Sequence, residues 1–130
     1  MREWVPSESA EQQYLMQWAR MQAGRWPELG LLYHVPNEGR RSRGSGARLV
    51  AEGLKRGVPD LCLPVARGGC HGLYIELKRE RGGRVSIEQA QWIRELARGG
   101  YCAAVCCGWE QAARLIERYL RGEVGPDAGD

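Results

Sequence analysis

The sequence predicts an α/β fold with helices and strands in the order α-β-(α)-β-β-α-β-α. Two observations lead to this prediction. Apolar residues recur at helical spacing in segments near both ends of the chain and again after residue 86, as expected for helices that lay one face on a core. Short apolar runs at residues 60–65, 72–78 and 101–107 have the length of strands and are separated by glycine-containing turns or by a helix.

The first predicted helix begins after Ser7, whose hydroxyl can cap it. Glu8 and Glu11 fall in its first turn, where the positive end of the helix dipole favours acidic side chains. The positions at helical spacing are Tyr14, Leu15, Trp18 and either Met21 or Gln22. A strand is predicted next over residues 29–35, and Pro36-Asn37-Glu38-Gly39 ends it.

The segment that follows is basic. Residues 40–46, rich in Gly and Ser, should form a loop, and residues 47–56 a short helix closed by Gly57. Between residues 40 and 56 there is one acidic residue, Glu52, and there are six basic residues: Arg40, Arg41, Arg43, Arg48, Lys55 and Arg56. Such a cluster is typical of a surface that follows nucleic-acid phosphates, although a solvated helix face and loop would show the same charges.

The second half of the chain predicts a hairpin, a helix, a strand and a last helix. Residues 60–65 and 72–78 should pair as antiparallel strands, because the six residues between them suit a hairpin loop. Ser86 should open a helix that Gly99-Gly100 ends, and residues 101–107 should form the last strand. The core positions expected on the two helices are Ile87, Ala90, Ile93 (or Trp92) and Leu96, then Ala112, Leu115, Ile116 and Tyr119.

Composition bounds the class of protein. With 130 residues, 43% of them hydrophobic, we expect a single domain over residues 1–121. Residues 122–130 form an acidic tail that we expect to be disordered. No run approaches the about 18 apolar residues of a membrane span, and no signal peptide is recognised, so a cytoplasmic location is expected. Five cysteines without a CxxC pair argue against a disulfide framework and fit a reducing compartment.

Two acidic motifs lie at the edges of neighbouring apolar stretches. The first is Gly57-Val58-Pro59-Asp60 and the second is Ile75-Glu76-Leu77-Lys78. Residues two apart on a strand point to the same face, so Glu76 and Lys78 should project together, with Leu77 turned into the core. A carboxylate from the neighbouring strand, Asp60, would complete a Mg²⁺ site, because this cation prefers oxygen ligands. Such a site can activate water against a phosphate.

These motifs resemble the signature of the PD-(D/E)XK nuclease superfamily. Together with Ser86-Ile87-Glu88-Gln89-Ala90-Gln91-Trp92, they resemble more narrowly the VRR-NUC family, in its stand-alone phage and bacterial form. The resemblance implies a restriction-endonuclease-like αβββαβ core with a mixed central sheet flanked by helices. It also implies that Asp60 and Glu76 bind the metal, that the carbonyl of Leu77 adds a ligand, and that Lys78 orients water or stabilises charge on the phosphate.

The resemblance further implies a glutamate ligand from the first helix and a catalytic glutamine. Glu8 fits the family position better than Glu11, although both could simply favour the helix start. Gln89 corresponds to the glutamine, but Ser86-x-x-Gln89 is also a capping box, which would give it a structural role. The two histidines, His34 and His71, are interpreted as core or loop residues.

The function implied is a Mg²⁺-dependent, structure-specific DNA endonuclease, in which Mn²⁺ can substitute. The expected substrate is branched DNA such as four-way (Holliday) junctions, where two symmetric cuts need two active sites and therefore favour a homodimer. Apolar residues available for a dimer interface are Trp4, Trp26 and Leu31, which could equally be core. The alternative is a nucleic-acid-binding module of the same fold that does not cleave, or that a partner activates.

Overall fold

The fold is built around a four-stranded mixed sheet. The computed structural model describes residues 4–36 and 43–129. The strands are β1 (Tyr33–His34), β2 (Leu61–Leu63), β3 (Leu73–Lys78) and β4 (Cys102–Cys107), and they lie side by side in that order. The pairs β1–β2 and β2–β3 are antiparallel, whereas β4 runs parallel to β3.

Four α-helices accompany the sheet within the described residues. They are α1 (Glu8–Gln22), α2 (Arg43–Ala51), α3 (Ile87–Arg98) and α4 (Trp109–Leu120). Short 3-10 helices occupy Pro27–Leu31 and Pro126–Gly129. The order α1-β1-β2-β3-α3-β4 confirms the predicted αβββαβ core, to which α2 and α4 are additions. No helix of the described residues is long and apolar enough to cross a membrane.

The alternation of β3 separates the two faces of the sheet. Leu73, Ile75 and Leu77 are buried in the core cluster that also contains Leu15 of α1 and Ile116 of α4. The intervening side chains of β3 point to the opposite face, against which α3 packs. The sheet is therefore covered by α1 and α4 on its apolar face and by α3 on the face that carries Glu76 and Lys78.

Serine caps fix the start of two helices, as the sequence predicts. The Ser7 hydroxyl accepts the backbone N–H of Ala10 at 3.1 Å at the start of α1. At the start of α3, Ser86 and Gln89 form a complete capping box. The buried face of α1 is centred on Glu11, Leu15 and Ala19, so the predicted apolar positions there are only partly correct.

Two elements differ from the sequence prediction. Strand β1 is limited to Tyr33–His34, because Pro27, whose fixed φ suits a helical first turn, starts a 3-10 helix where the strand was expected. Helix α2 begins at Arg43 and ends at Ala51, earlier at both ends than predicted. Gly53, with φ of 111°, ends it, because the N–H groups of residues 53 and 54 bond back to the carbonyls of Val50 and Leu49.

The acidic tail packs on the domain as far as residue 129, contrary to the predicted disorder. Val124 is buried and belongs to the core cluster. The 3-10 helix Pro126–Gly129 contacts β4, and a Cβ on Gly68 would lie 2.4 Å from the carbonyl oxygen of Val124. One apolar side chain therefore anchors a segment whose composition alone indicates disorder.

Deleting residues 122–130 should lower the free energy of unfolding by about 1.5–3 kcal/mol, the value of burying one large aliphatic side chain. Urea denaturation of the full and the shortened chain measures this difference. As a control, Glu123→Gln with Asp127→Asn removes charge but keeps Val124, and should change stability little. An unchanged midpoint after the deletion would show that the tail is not part of the folded domain.

Candidate active site

Glu76 and Lys78 lie together on β3, as the strand period predicts. Both side chains are almost fully buried, with 1% and 7% of their surface exposed. The ammonium Nζ of Lys78 lies 3.5 Å from Oε2 of Glu76. A buried carboxylate is unfavourable unless charge or hydrogen bonds compensate it, and Lys78 supplies part of that compensation.

Asp60 lies at the entrance to β2, on the strand next to Glu76. Its Oδ2 accepts the backbone N–H of Leu77 at 2.9 Å, so the carboxylate is held against β3. Its own carbonyl accepts the N–H of Val35 at 2.7 Å, which fixes the backbone on the other side. The hairpin between β2 and β3 thus brings together the two acids that the sequence places sixteen positions apart.

Gln89 of α3 has both of the roles that the sequence left open as alternatives. Its Oε1 accepts the N–H of Ser86 at 2.9 Å, which completes the capping box. Its Nε2 donates to Oε2 of Glu76 at 3.0 Å. Because one carboxamide end caps the helix and the other contacts the carboxylate, the capping box itself orients Gln89 toward the site.

These contacts leave one oxygen of Glu76 without a partner. Oε1 is buried and accepts no hydrogen bond, whereas Oε2 contacts both Lys78 and Gln89. Burial, and after it the nearby carboxylate of Asp60, raise the pKa of Glu76 to about 8 against the opposing effect of Lys78. A divalent cation at Oε1 would satisfy the orphaned oxygen and offset the repulsion between the two acids, so the residues present fit a metal site.

The two candidate glutamates of α1 have different surroundings. Glu8 is exposed and lines a cleft of about 220 Å³ together with Asp60 and Leu77. Glu11 is fully buried, and its Oε1 accepts the N–H of Trp109 at 3.0 Å at the start of α4. Glu11 therefore occupies the positive end of a helix dipole, whereas Glu8 shares a cleft with the acidic pair.

Glu8 does not join Asp60 and Glu76 in a preformed cage. In residues 4–36 and 43–129, no three side chains among His, Cys, Asp and Glu form a group that could hold a metal ion. The site brings together the pair Asp60 and Glu76, with Leu77 between them on the backbone. Mg²⁺ is commonly held by one or two carboxylates and retains several waters, so a pair is enough for this ion.

A second, larger cleft opens beside the acidic pair. It has a volume of about 440 Å³ and lies between residues 54–58 and the start of α3, with Asp60 and Gln89 in its lining. Lys55 and Arg56, two of the predicted DNA-binding residues, also line it. Arg48 is exposed on α2, and Arg43 starts that helix, whereas Arg40 and Arg41 lie outside the described residues.

Sequence reasoning did not place in the site three residues that shape these clefts. His34 lines the smaller one, and its Nδ1 lies 3.2 Å from the carbonyl oxygen of Asp60. Trp92 donates its indole N–H to the carbonyl of Arg56 at 2.9 Å. Gly57 has a φ of 86°, and a Cβ there would lie 2.6 Å from the backbone of Glu88. For Gly57, the sequence signal was its place in a Gly-x-Pro-Asp turn, which can require a positive φ. His34 and Trp92 gave no such signal, because their contacts join residues far apart in the sequence.

The fold and the acidic pair together indicate a nuclease-type fold, and comparison with known proteins supports this assignment. A family model described as the VRR-NUC domain matches residues 6–110. A solved structure described as a VRR_NUC domain protein is similar, with a TM-score of 0.80 and 30% sequence identity over 92% of this chain and 92% of that chain. No curated protein matches the sequence significantly. The chain belongs to the VRR-NUC family.

Replacing Glu11 and Glu8 in turn should separate a structural from a site role. Glu11→Ala should lower the free energy of unfolding by about 1–3 kcal/mol, because the N–H of Trp109 loses its buried acceptor. Glu8→Ala should change it by less than about 0.5 kcal/mol, as is usual for exposed positions. Urea denaturation measures both, and equal losses at the two positions would contradict the distinction.

Without metal, stability should fall as the pH rises from about 4.5 to about 8 and level off above that. The pKa of Glu76 is about 8 in the folded chain against 4.5 for a free side chain, so between these values the folded state binds more protons. Its contribution is fully present below pH about 4.5 and is lost as the pH passes about 8. Denaturation midpoints in chelator from pH 5 to 9 should therefore fall more steeply for the wild type than for Glu76→Gln. Parallel profiles would contradict the raised pKa.

Proposed function

We propose that this protein is a Mg²⁺-dependent DNA endonuclease that hydrolyses phosphodiester bonds in branched DNA. The observation that carries the proposal is the buried Glu76, whose Oε1 has no partner and whose carboxyl group lies near that of Asp60. A buried carboxylate oxygen without a partner is unfavourable next to a second carboxylate unless a cation binds there, which supports a metal site. Membership of the VRR-NUC family supports the same chemistry.

The ion would be held by Asp60, Glu76 and the main-chain oxygen of Leu77, with Glu8 contributing from across the smaller cleft. When bound, Mg²⁺ would polarise the scissile phosphate and lower the pKa of an attacking water, and Mn²⁺ should serve as well. Hydrolysis adds that water across one P–O bond, leaving a phosphate on one DNA end and a hydroxyl on the other. The carboxylates themselves keep the ion in place and supply no proton in this scheme.

Lys78 and Gln89 act on the reacting groups through position and charge. The Lys78 ammonium lies 3.5 Å from Glu76, so it would stabilise negative charge on a phosphate bound beside the two carboxylates. Gln89 donates to Oε2 of Glu76 at 3.0 Å, which leaves Oε1 as the oxygen that would hold the ion. Both residues therefore favour one orientation of the buried carboxylate.

DNA would reach this site along the cationic rim of the larger cleft. Lys55 and Arg56 line that cleft beside Asp60, and Arg48 lies exposed on the preceding helix. Arg40, Arg41 and Arg43 complete the proposed phosphate-contacting set. Contacts of this kind position a nucleic acid without reading its bases, which favours recognition of shape.

We also propose that two copies act together on a four-way junction. Such a junction presents two symmetric phosphates, and a two-fold dimer supplies one active site for each. Of the apolar residues considered for the interface, Trp4 and Leu31 are exposed by 75% and 55%, whereas Trp26 packs against the core. Trp4 and Leu31 are therefore the better candidates.

Cleavage of labelled DNA by the pure protein tests the reaction directly. Four-way junction, flap, splayed-arm and linear duplex DNA are incubated with Mg²⁺, Mn²⁺ or chelator. We expect metal-dependent cuts in the branched forms and a loss of at least about 100-fold in rate for Glu76→Gln, Asp60→Asn and Lys78→Met. Tight binding without cuts in either metal would instead support the non-cleaving or partner-activated module.

Gln89→Glu offers a variant that separates catalysis from helix capping. A glutamate can still accept the N–H of Ser86, so the capping box should remain, whereas a second negative charge would face Glu76. We expect lost cleavage and, in chelator at about pH 5, where the raised pKa keeps Glu76 protonated, an unfolding midpoint close to that of the wild type. Retained cleavage would limit Gln89 to the capping role.

The salt dependence of DNA binding tests the cationic rim. Lys55→Gln and Arg56→Gln should each reduce the slope of log affinity against log salt by about 1, because each removes one phosphate contact. Arg98→Gln is the matched control, since Arg98 is exposed at the far end of α3 and bonds to Glu95. Equal slopes for all three variants would show that DNA does not follow this rim.

A further inference from the structure

The larger cleft has walls that phosphate contacts do not require. Half-buried Val35, Leu54 and Val58, together with Pro36, face a space of about 440 Å³. A protein surface that only follows a DNA backbone is lined by basic and polar side chains, because its partners are phosphate oxygens. The aliphatic side chains in this mixed polar and apolar lining therefore suit an apolar part of the substrate.

The charges around the recess have opposite signs on its two sides. Lys55 and Arg56 lie on the loop side, and Glu88 lies on the helix side. The carboxylate of Glu88 repels phosphate, but it can accept hydrogen bonds from the amino groups of nucleobases. The recess thus combines a cationic edge for a phosphate, apolar walls for the faces of a base and an acceptor for its edge.

The recess is held open by contacts between its two walls. The indole N–H of Trp92 on α3 donates to the carbonyl of Arg56 at 2.9 Å. Gly57 lies so close to α3 that a Cβ would be 2.6 Å from the backbone carbon of Glu88. The loop therefore touches the helix through backbone at one point and through a side-chain hydrogen bond at another, which fixes the width between them.

The position of the recess links it to the reaction. Asp60 and Gln89 belong both to its lining and to the catalytic site. Its volume falls within the range of pockets that enclose small organic ligands, which is enough for the base and sugar of a nucleotide. A ligand bound in the recess would therefore lie next to the phosphate on which Asp60 and Glu76 act.

We propose that this recess is a subsite for one nucleotide whose base has left the helical stack, immediately beside the scissile phosphate. Val35, Leu54 and Val58 contact the faces of the base, Glu88 accepts its amino group, and Lys55 and Arg56 bind its phosphate. Extruding a base costs least where it is already unpaired, so the subsite selects DNA at branch points and ends. This inference rests on the proposed function and specifies how its substrate is chosen.

The test places 2-aminopurine, whose fluorescence is quenched by stacking, at successive positions on either side of the phosphate that the wild type cuts. Binding is followed with the Glu76→Gln protein, so that the DNA stays intact. We expect fluorescence to rise at one position flanking the cut. Leu54→Asp, added to the same protein, should abolish the rise because it places a charge against the base.

A matched pair of tryptophan variants tests the wall. Trp92→Phe removes the hydrogen bond that holds the loop of Arg56 against α3. It should weaken DNA binding by up to about fivefold, because the loss of preorganisation can cost at most the value of that bond, and it should reduce the rise in fluorescence. Trp26→Phe is the control, because the indole N–H of Trp26 has no hydrogen-bond partner within the described chain. It should leave the affinity and the fluorescence as they are.

Two results overturn the subsite. One is normal cutting of branched DNA with no fluorescence rise at any position beside the cut, and the other is a Trp92→Phe protein that matches Trp26→Phe in both measurements. Failure of the proposed function has a different signature. A wild type that cuts no DNA with Mg²⁺ or Mn²⁺, together with a fluorescence rise at some position of the bound DNA, would overturn the nuclease and keep the subsite.

Discussion

The buried carboxylate of Glu76 is the constraint on which the site depends. It lies on the middle of a sheet with 1% of its surface exposed, where an uncompensated charge is strongly unfavourable. Lys78 and Gln89 satisfy one of its oxygens from two different elements, and the other oxygen has no partner. The apparent defect is understandable if the protein gives up some stability to keep a ligand free for a cation.

Helix α3 connects the carboxylate pair to the loop of Arg56. Its first turn supplies Gln89 to Glu76, and its second turn supplies Trp92 to the carbonyl of Arg56. The Ser86 cap fixes where the helix begins and therefore sets both contacts at once. One short helix thus relates the cationic loop to the carboxylate pair through a few hydrogen bonds.

Glu8 and Glu11 show how different the surroundings of two nearby carboxylates can be. They lie three positions apart on α1, which makes their side chains neighbours on the helix surface. Glu11 turns into the protein and binds the start of α4, whereas Glu8 faces the cleft that contains Asp60. Tertiary packing has a similar effect on the tail, where burial of Val124 in the core anchors an otherwise polar segment.

The sequence by itself determined the features that local patterns encode. The period of two on β3 placed Glu76 and Lys78 on one face, and the capping boundary at Ser86 located α3. Only the tertiary structure gave Glu8 and Glu11 different surroundings, gave Gln89 two contacts at once and set Trp92 against the loop of Arg56. The Glu11 to Trp109 bond joins residues 98 positions apart, and such contacts follow from packing of whole elements rather than from neighbouring side chains. Local periodicity therefore specifies which side chains can form the site, and long-range packing specifies which of them do.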